Sequence, residues 1–236
     1  MIKVVLFDMD GTLVPMDQDA FARGYFSALG AHAAKYGYTP RSIIAAVSEG
    51  VVGMVKNDGA RTNSDLFWAG FFKKYPEFSK SDVSLFDVFY ETDFVKLQET
   101  VSVNPAAKAV IDRLTARGVR LVLASNPVFP QIAQETRVGW AGIDPAAFCY
   151  VTSYENSHFC KPDPRYYTEI LNAIGAKPDE CLMIGNDAVE DGAAVAAGLK
   201  FFLLTDCLLH GDGFDLDSVP HGGYDKLGEF LTELGL

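Results

Sequence analysis

Val4-Val5-Leu6-Phe7 is an unbroken apolar run, and two carboxylates and a glycine follow it at once in Asp8-Met9-Asp10-Gly11-Thr12. A short run rich in β-branched residues suits a strand buried on both faces, as in a parallel sheet. Unpaired buried charge is very unfavourable, so a buried strand that ends in two acids must deliver them to a polar place. In open α/β sheets that place is the crevice at the carboxyl ends of the strands. Asp8 and Asp10 are two residues apart, so in extended chain their side chains share a face. Gly11 allows a sharp turn away. Taken alone, the stretch reads equally well as a strand followed by an acidic Asx-type turn.

Beyond Pro15 the rhythm changes. Phe21, Tyr25, Ala28, Leu29 and His32 recur at helical spacing; Phe67, Trp68, Phe71, Phe72 and Tyr75 make a second stripe, and Phe86, Phe89 and Tyr90 a third. Such stripes are the apolar faces of helices. About half of the chain's aromatic residues fall between positions 16 and 100. This predicts a helical unit with its own core, inserted after the first strand, with core packing as the role of those rings.

From Asn104 strands and helices alternate. Asn104-Pro105 and Asp163-Pro164 each pair an N-cap residue with proline at the first helical position. The predicted helices run to about Arg117 and Ile174, stopped by Gly118 and Gly175. Further helices are expected at 129–138, 191–197 and 225–234, and strands at 119–124, 148–152, 181–184 and 201–204. Five strands in all predict an α/β fold, a doubly wound parallel sheet with a second, smaller α-helical domain. The expected division is residues 1–15 plus 101–236 for the sheet domain and 16–100 for the helical cap. Residues 206–223 read as an acidic loop whose His210 and His221 are surface residues.

Polar residues cluster just past several strands: Asp8 and Asp10; Ser125 and Asn126; Asp187 and Asp191. Lys161 immediately precedes the Asp163-Pro164 helix start. Right-handed connections bring all four groups to one edge of the sheet.

This ordered set resembles the haloacid dehalogenase superfamily of aspartate-nucleophile hydrolases. The resemblance covers residues 1–15 and about 101–205. It rests on Asp8-Met9-Asp10-Gly11-Thr12, Ser125 within Ala124-Ser125-Asn126, Lys161 within Lys161-Pro162-Asp163-Pro164, and Gly185-Asn186-Asp187 with Asp191 beyond. It implies a Rossmann-like core and these roles: Asp8 as nucleophile, forming an aspartyl phosphate; Asp10 as acid and then base; Ser125, Asn126 and Lys161 as phosphate ligands, Lys161 also holding Asp8. It implies Mg²⁺ on Asp8, the Asp10 main-chain carbonyl and Asp187, with Asp191 orienting the metal site from just behind. Charge favours the cation: four carboxylates and one lysine would repel a phosphate dianion. Pro127 after Asn126 departs from many relatives.

The implied activity is a Mg²⁺-dependent phosphomonoester hydrolase acting on a small phosphorylated metabolite. A phosphomutase, a phosphonate hydrolase using Lys35, Lys56, Lys73 or Lys74 as an imine-forming amine, and an inactive binding module are the alternatives. By the same resemblance, the polar segment Lys56–Ser64 between two cap helices reaches toward the leaving group, with Lys56 and Arg61 as candidates for substrate selection. The net charge of −11 argues against nucleic acid or an anionic membrane as partner. No apolar run is long enough to span a bilayer. The N-terminus lacks the features of a signal peptide, and the four cysteines form no CxxC pair. A cytoplasmic protein with free thiols is the expectation.

Overall fold

The computed structural model describes residues 1–236, apart from the side chain of Ser81. Six parallel strands form one sheet: β1 Val4–Phe7, β2 Arg120–Leu123, β3 Phe148–Val151, β4 Cys181–Gly185, β5 Lys200–Leu204 and β6 His221–Gly222. Their order is β3-β2-β1-β4-β5-β6, with β1 central. The reversal of strand order at β1 is the switch point at which such sheets open a crevice.

Strand alternation sorts the core into two layers. Val5 and Phe7 join Leu121, Leu123, Leu182, Ile184, Phe202 and Leu204 on one face. Helices α5 (Pro105–Ala116) and α8 (Tyr224–Glu233) cover it through Ile111, Leu114, Leu227 and Leu231. Val4, Leu6, Val122, Met183, Phe201 and Leu203 face the other way, under Tyr166, Tyr167 and Ile170 of α7 (Pro164–Ile174). Both capping devices form: the Asn104 side chain accepts from the Ala106 and Ala107 N–H groups, and the Asp163 side chain from that of Arg165.

Residues 16–100 supply α1 (Gln18–Ala34), α2 (Pro40–Val55), α3 (Asn63–Lys74), α4 (Ser84–Thr92) and a 3₁₀ turn at Phe94–Thr100. The insertion carries a large apolar cluster that also reaches into the sheet domain. Its apolar cluster continues into Ala133 and Trp140 of α6 (Gln131–Trp140) and into Cys160. The crossings between the two bodies lie together, and the Ser102 N–H donates to the Pro15 carbonyl at 3.4 Å.

Three expected elements differ. β6 lies in the stretch read as a loop; two residues carry no periodicity to read, and the strand exists because β5 offers it an edge at Leu203 and Leu204. The 191–197 helix is a 3₁₀ turn at Gly192–Ala197, ended by Gly198 in the left-handed conformation. Helix α6 begins two residues later than expected, because Pro130 stands extended at its cap. Among the described residues no helix is long and apolar enough to cross a membrane.

Candidate active site

Register builds the site. Phe7 lies level with Leu123 and Ile184. The Asp8 N–H donates to the Ile184 carbonyl at 2.9 Å, and the Ala124 N–H to the Phe7 carbonyl at 2.7 Å. The first residues beyond three neighbouring strands therefore meet at one edge. Gly11 turns the chain away at φ +81°, and a Cβ there would collide with the Asn186 side chain. Thr12 Oγ1 donates to Asn186 Oδ1 at 2.9 Å, tying the first motif to the fourth.

Lys161 is the electrostatic centre. Its Nζ donates to Asp8 Oδ1 at 2.7 Å and to Asp191 Oδ1 at 2.6 Å. The side chains of Lys161 and Asp191 are each 1% exposed, so this pairing is made out of water. Burial opposes the lysine cation, but Asp191 and Asp8 outweigh it and hold its pKa well above the ordinary value. Burial raises the Asp8 pKa, against the pull of Lys161. Burial likewise pushes Asp191 up to about 7, against the same cation. The other Asp191 oxygen accepts from the Asp187 N–H at 3.0 Å. Gly185 is required beneath it, since a Cβ there would collide with the Asp191 carboxylate.

Asp187 Oδ1 accepts from the Val189 and Glu190 N–H groups, each at 2.9 Å. His210, read from sequence as a surface residue, is largely exposed, yet its Nδ1 lies 2.8 Å from Asp187 Oδ2. That hydrogen bond raises the His210 pKa. The isolated bridge between Asp187 and Leu209 brings it there, a tertiary contact with no local signal. His221 makes its contact within its own segment, with the Val219 carbonyl.

Ser125 is buried, and its carbonyl is held by Thr152 Oγ1 at 2.7 Å and the Tyr166 hydroxyl at 2.9 Å. Asn126 Nδ2 donates to Glu190 Oε2 at 3.2 Å, while its buried Oδ1 has no partner. Burial raises the Glu190 pKa.

Two neighbours of the acids were not anticipated, Glu190 and Arg137. Arg137 on α6 is 1% exposed; its Nη2 donates to Asp10 Oδ1 and its Nη1 to Gln134 Oε1 at 3.3 Å. The guanidinium packs against the rings of Phe21, at 4.9 Å, and Phe129, at 5.0 Å. Its signal was present: Arg137 lies four residues after Ala133 on the buried face of α6, where a lone cation needs an acid.

These groups floor a cavity of about 320 Å³ between sheet edge and insertion. Asp8, Asp10, Ser125, Asn126, Asp187 and Asp191 line it; Phe21, Tyr25, Trp68, Phe86 and Tyr90 roof it. Lys56 and Arg61 do not line it. Both are exposed, and their loop docks sideways on the sheet domain. Asn57 Nδ2 donates to the Arg61 carbonyl and to Asn63 Oδ1, each at 2.8 Å. Asn63, fully buried, donates its Nδ2 to the Pro127 carbonyl at 3.3 Å and its main-chain N–H to the Ser157 carbonyl at 2.8 Å. The loop thus spends its polar groups on fastening, and its two cations point to solvent.

The haloacid dehalogenase-like hydrolase family model matches residues 2–198. The chain belongs to the haloacid dehalogenase-like hydrolases. This hydrolase is 32% identical to the phosphoglycolate phosphatase of Rhodospirillum rubrum over 105 residues, 44% of this chain and 42% of that one. It is 29% identical to the phosphoglycolate phosphatase of Cereibacter sphaeroides over 238 residues, 98% of each chain. Its fold is shared with CbbY from Rhodobacter sphaeroides, solved in complex with phosphate, at a TM-score of 0.58, 18% identity and 97% coverage of both chains.

Proposed function

We propose that this hydrolase cleaves a small phosphorylated metabolite with the help of Mg²⁺, through a phosphorylated Asp8. The observation that carries the reading is the Lys161 pairing, which holds Asp8 at the floor of a cavity that Asp10, Ser125, Asn126, Asp187 and Asp191 also line from beyond the ends of β1, β2 and β4. The relatives named as phosphoglycolate phosphatases support phosphomonoester chemistry.

An Asp8 carboxylate oxygen attacks phosphorus, and the bond from phosphorus to the ester oxygen breaks. Asp10 gives a proton to the departing alkoxide. Asp10 then takes a proton from water as that water attacks phosphorus, and the bond to Asp8 breaks. Phosphate and the alcohol are released, with Asp8 and Asp10 restored. Ser125 and Asn126 would hold phosphoryl oxygens, Lys161 would hold Asp8 in line, and Asp191 would hold Lys161. Arg137 would keep Asp10 aimed at the reacting group.

Mg²⁺ favours oxygen donors in an octahedron. The Asp8 and Asp187 carboxylates and the Asp10 main-chain carbonyl are such donors, with Asp191 behind them. Among the described residues no three His, Cys, Asp or Glu side chains are placed to hold a metal ion together; this donor set would use only two, with water completing it. When bound, Mg²⁺ supplies charge neutralisation between the acids and the phosphoryl dianion.

The phosphonate-hydrolase alternative loses ground. Lys35, Lys56, Lys73 and Lys74 are all exposed and none lines the cavity, so an imine route has no amine at hand. The test is phosphate release from a panel of phosphorylated metabolites with and without Mg²⁺, with Asp8→Asn as control. Metal-dependent release that vanishes in the variant is the expected result; equal release by the variant would remove Asp8 from the reaction.

A further inference from the structure

We infer that the leaving group of this hydrolase is flat, apolar and uncharged, so that its preferred substrates are phosphate esters of aryl or comparable hydrocarbon alcohols. The inference rests on the phosphatase reading above and adds the substrate class.

The roof of the cavity carries the argument. Every residue that the insertion contributes to the lining is uncharged. The two phenols among its rings are paired with each other. The Tyr25 and Tyr90 hydroxyls lie 3.0 Å apart, and the Trp68 indole N–H is the one polar group on the other lining rings of the insertion. Gln18 is the exception, an exposed residue at the rim. A sugar would bring hydroxyls into this space with few partners, and each unpaired group removed from water weakens binding.

A carboxylate in the leaving group would fare worse. The floor holds Asp8, Asp10, Asp187, Glu190 and Asp191. The lining includes one cation, Arg137; Asp10 takes its Nη2 and Gln134 its Nη1, which leaves the buried Nε as its one unpartnered donor nitrogen against five acids. Lys161 is occupied by Asp8 and Asp191. The cations expected from sequence, Lys56 and Arg61, are outside. A ring meets the opposite situation, since Trp68 and Phe86 stand edge to face at 5.3 Å, and Tyr25 and Phe129 at 5.4 Å, leaving faces and edges for one more aromatic body. At about 320 Å³ the space is of ligand size.

The test compares 1-naphthyl phosphate with 2-phosphoglycolate, using the full chain with Mg²⁺. The expected kcat/KM ratio is about 100-fold in favour of the naphthyl ester, the scale a hydrophobic pocket supplies. Trp68→Ala should lower the naphthyl value about tenfold, several times more than it lowers the glycolate value. Equal or better turnover of phosphoglycolate, or a parallel loss of both rates in Trp68→Ala, overturns the inference. Calorimetric binding to Asp8→Asn separates this from the phosphatase reading. If wild type hydrolyses neither ester but the variant binds the naphthyl ester more tightly, the phosphatase reading falls and the pocket assignment stands. If the variant binds phosphoglycolate as tightly or more so, the pocket assignment falls by itself.

Discussion

Asp8, Lys161 and Asp191 form one chain of charge, and its members respond differently to substitution. Asp8→Asn keeps the side-chain volume and removes an acid whose ionised form burial disfavours. Phosphate release should cease while the melting temperature holds or rises slightly; a folded variant with wild-type turnover would show that Asp8 is not the nucleophile. Lys161→Ala leaves two buried acids uncompensated. It should lower kcat by at least about 100-fold and, without added metal, cost about 3 kcal/mol of stability, both readable from kinetics and urea unfolding. Arg137→Lys keeps the charge but loses the planar fork that serves Asp10 and Gln134 and stacks on two rings. A roughly tenfold fall in kcat is expected, because an ammonium does not reproduce that geometry.

At the scale of elements, the junction between α3 and the sheet domain depends on Asn63. Its side chain joins Asn57, the Pro127 carbonyl and Cys160 Sγ, and its main chain joins Ser157. Pro127, the departure noted after the second motif, presents the carbonyl that receives it. Asn63→Ala strands buried partners and should cost about 1–3 kcal/mol in chemical unfolding; a variant as stable as wild type would show the junction to be dispensable. The end of β4 has a different demand. Gly185 lies against the Asp191 carboxylate, so Gly185→Ala should displace Asp191 and weaken its hold on Lys161, with activity falling even where the chain still folds.

Across the whole molecule, the helical insertion is braced by Asp93, which follows α4 and gathers Lys35 at 2.8 Å, Lys96 at 2.5 Å and the buried ring of His32 at 2.7 Å. Hydrogen bonds from Lys35, Lys96 and His32 hold the Asp93 carboxyl well below the usual carboxylate range. A lowered native pKa contributes stability that is fully present above the ordinary Asp value of about 4 and is lost as pH falls toward the native value. Asp93→Asn should therefore melt a few degrees below wild type at pH 7, about 2–4 °C per kcal/mol for a chain this long. The gap should close as the pH is lowered below about 4. A gap that stays constant to pH 2 would mean that packing, not charge, sets the difference.

The strands and the four motifs were legible because their signals are local. Val4 to Phe7 could be read as buried from its own residues, and Asn104-Pro105 and Asp163-Pro164 carry their caps within a few positions. Resemblance to the family joins Asp8, Asp10, Ser125, Lys161, Asp187 and Asp191 into one expected site from sequence alone. What sequence left open depends on contacts between distant segments. β6 needed the edge of β5, and His210 needed the bridge from Leu209 to Asp187. Arg137 and Asp10 are 127 residues apart, and their pairing follows from where α6 packs. The loop holding Lys56 and Arg61 is the polar turn its sequence predicts, but its direction is set by Asn57 bonding back to Arg61 and Asn63 and by Asn63 bonding to the sheet domain. Hydrophobic period and capping chemistry act over a few residues and are written in order along the chain. The facing of a loop, the partner of a buried charge and the chemistry of a cavity wall are settled only when the whole surface is closed and every buried polar group must find its partner.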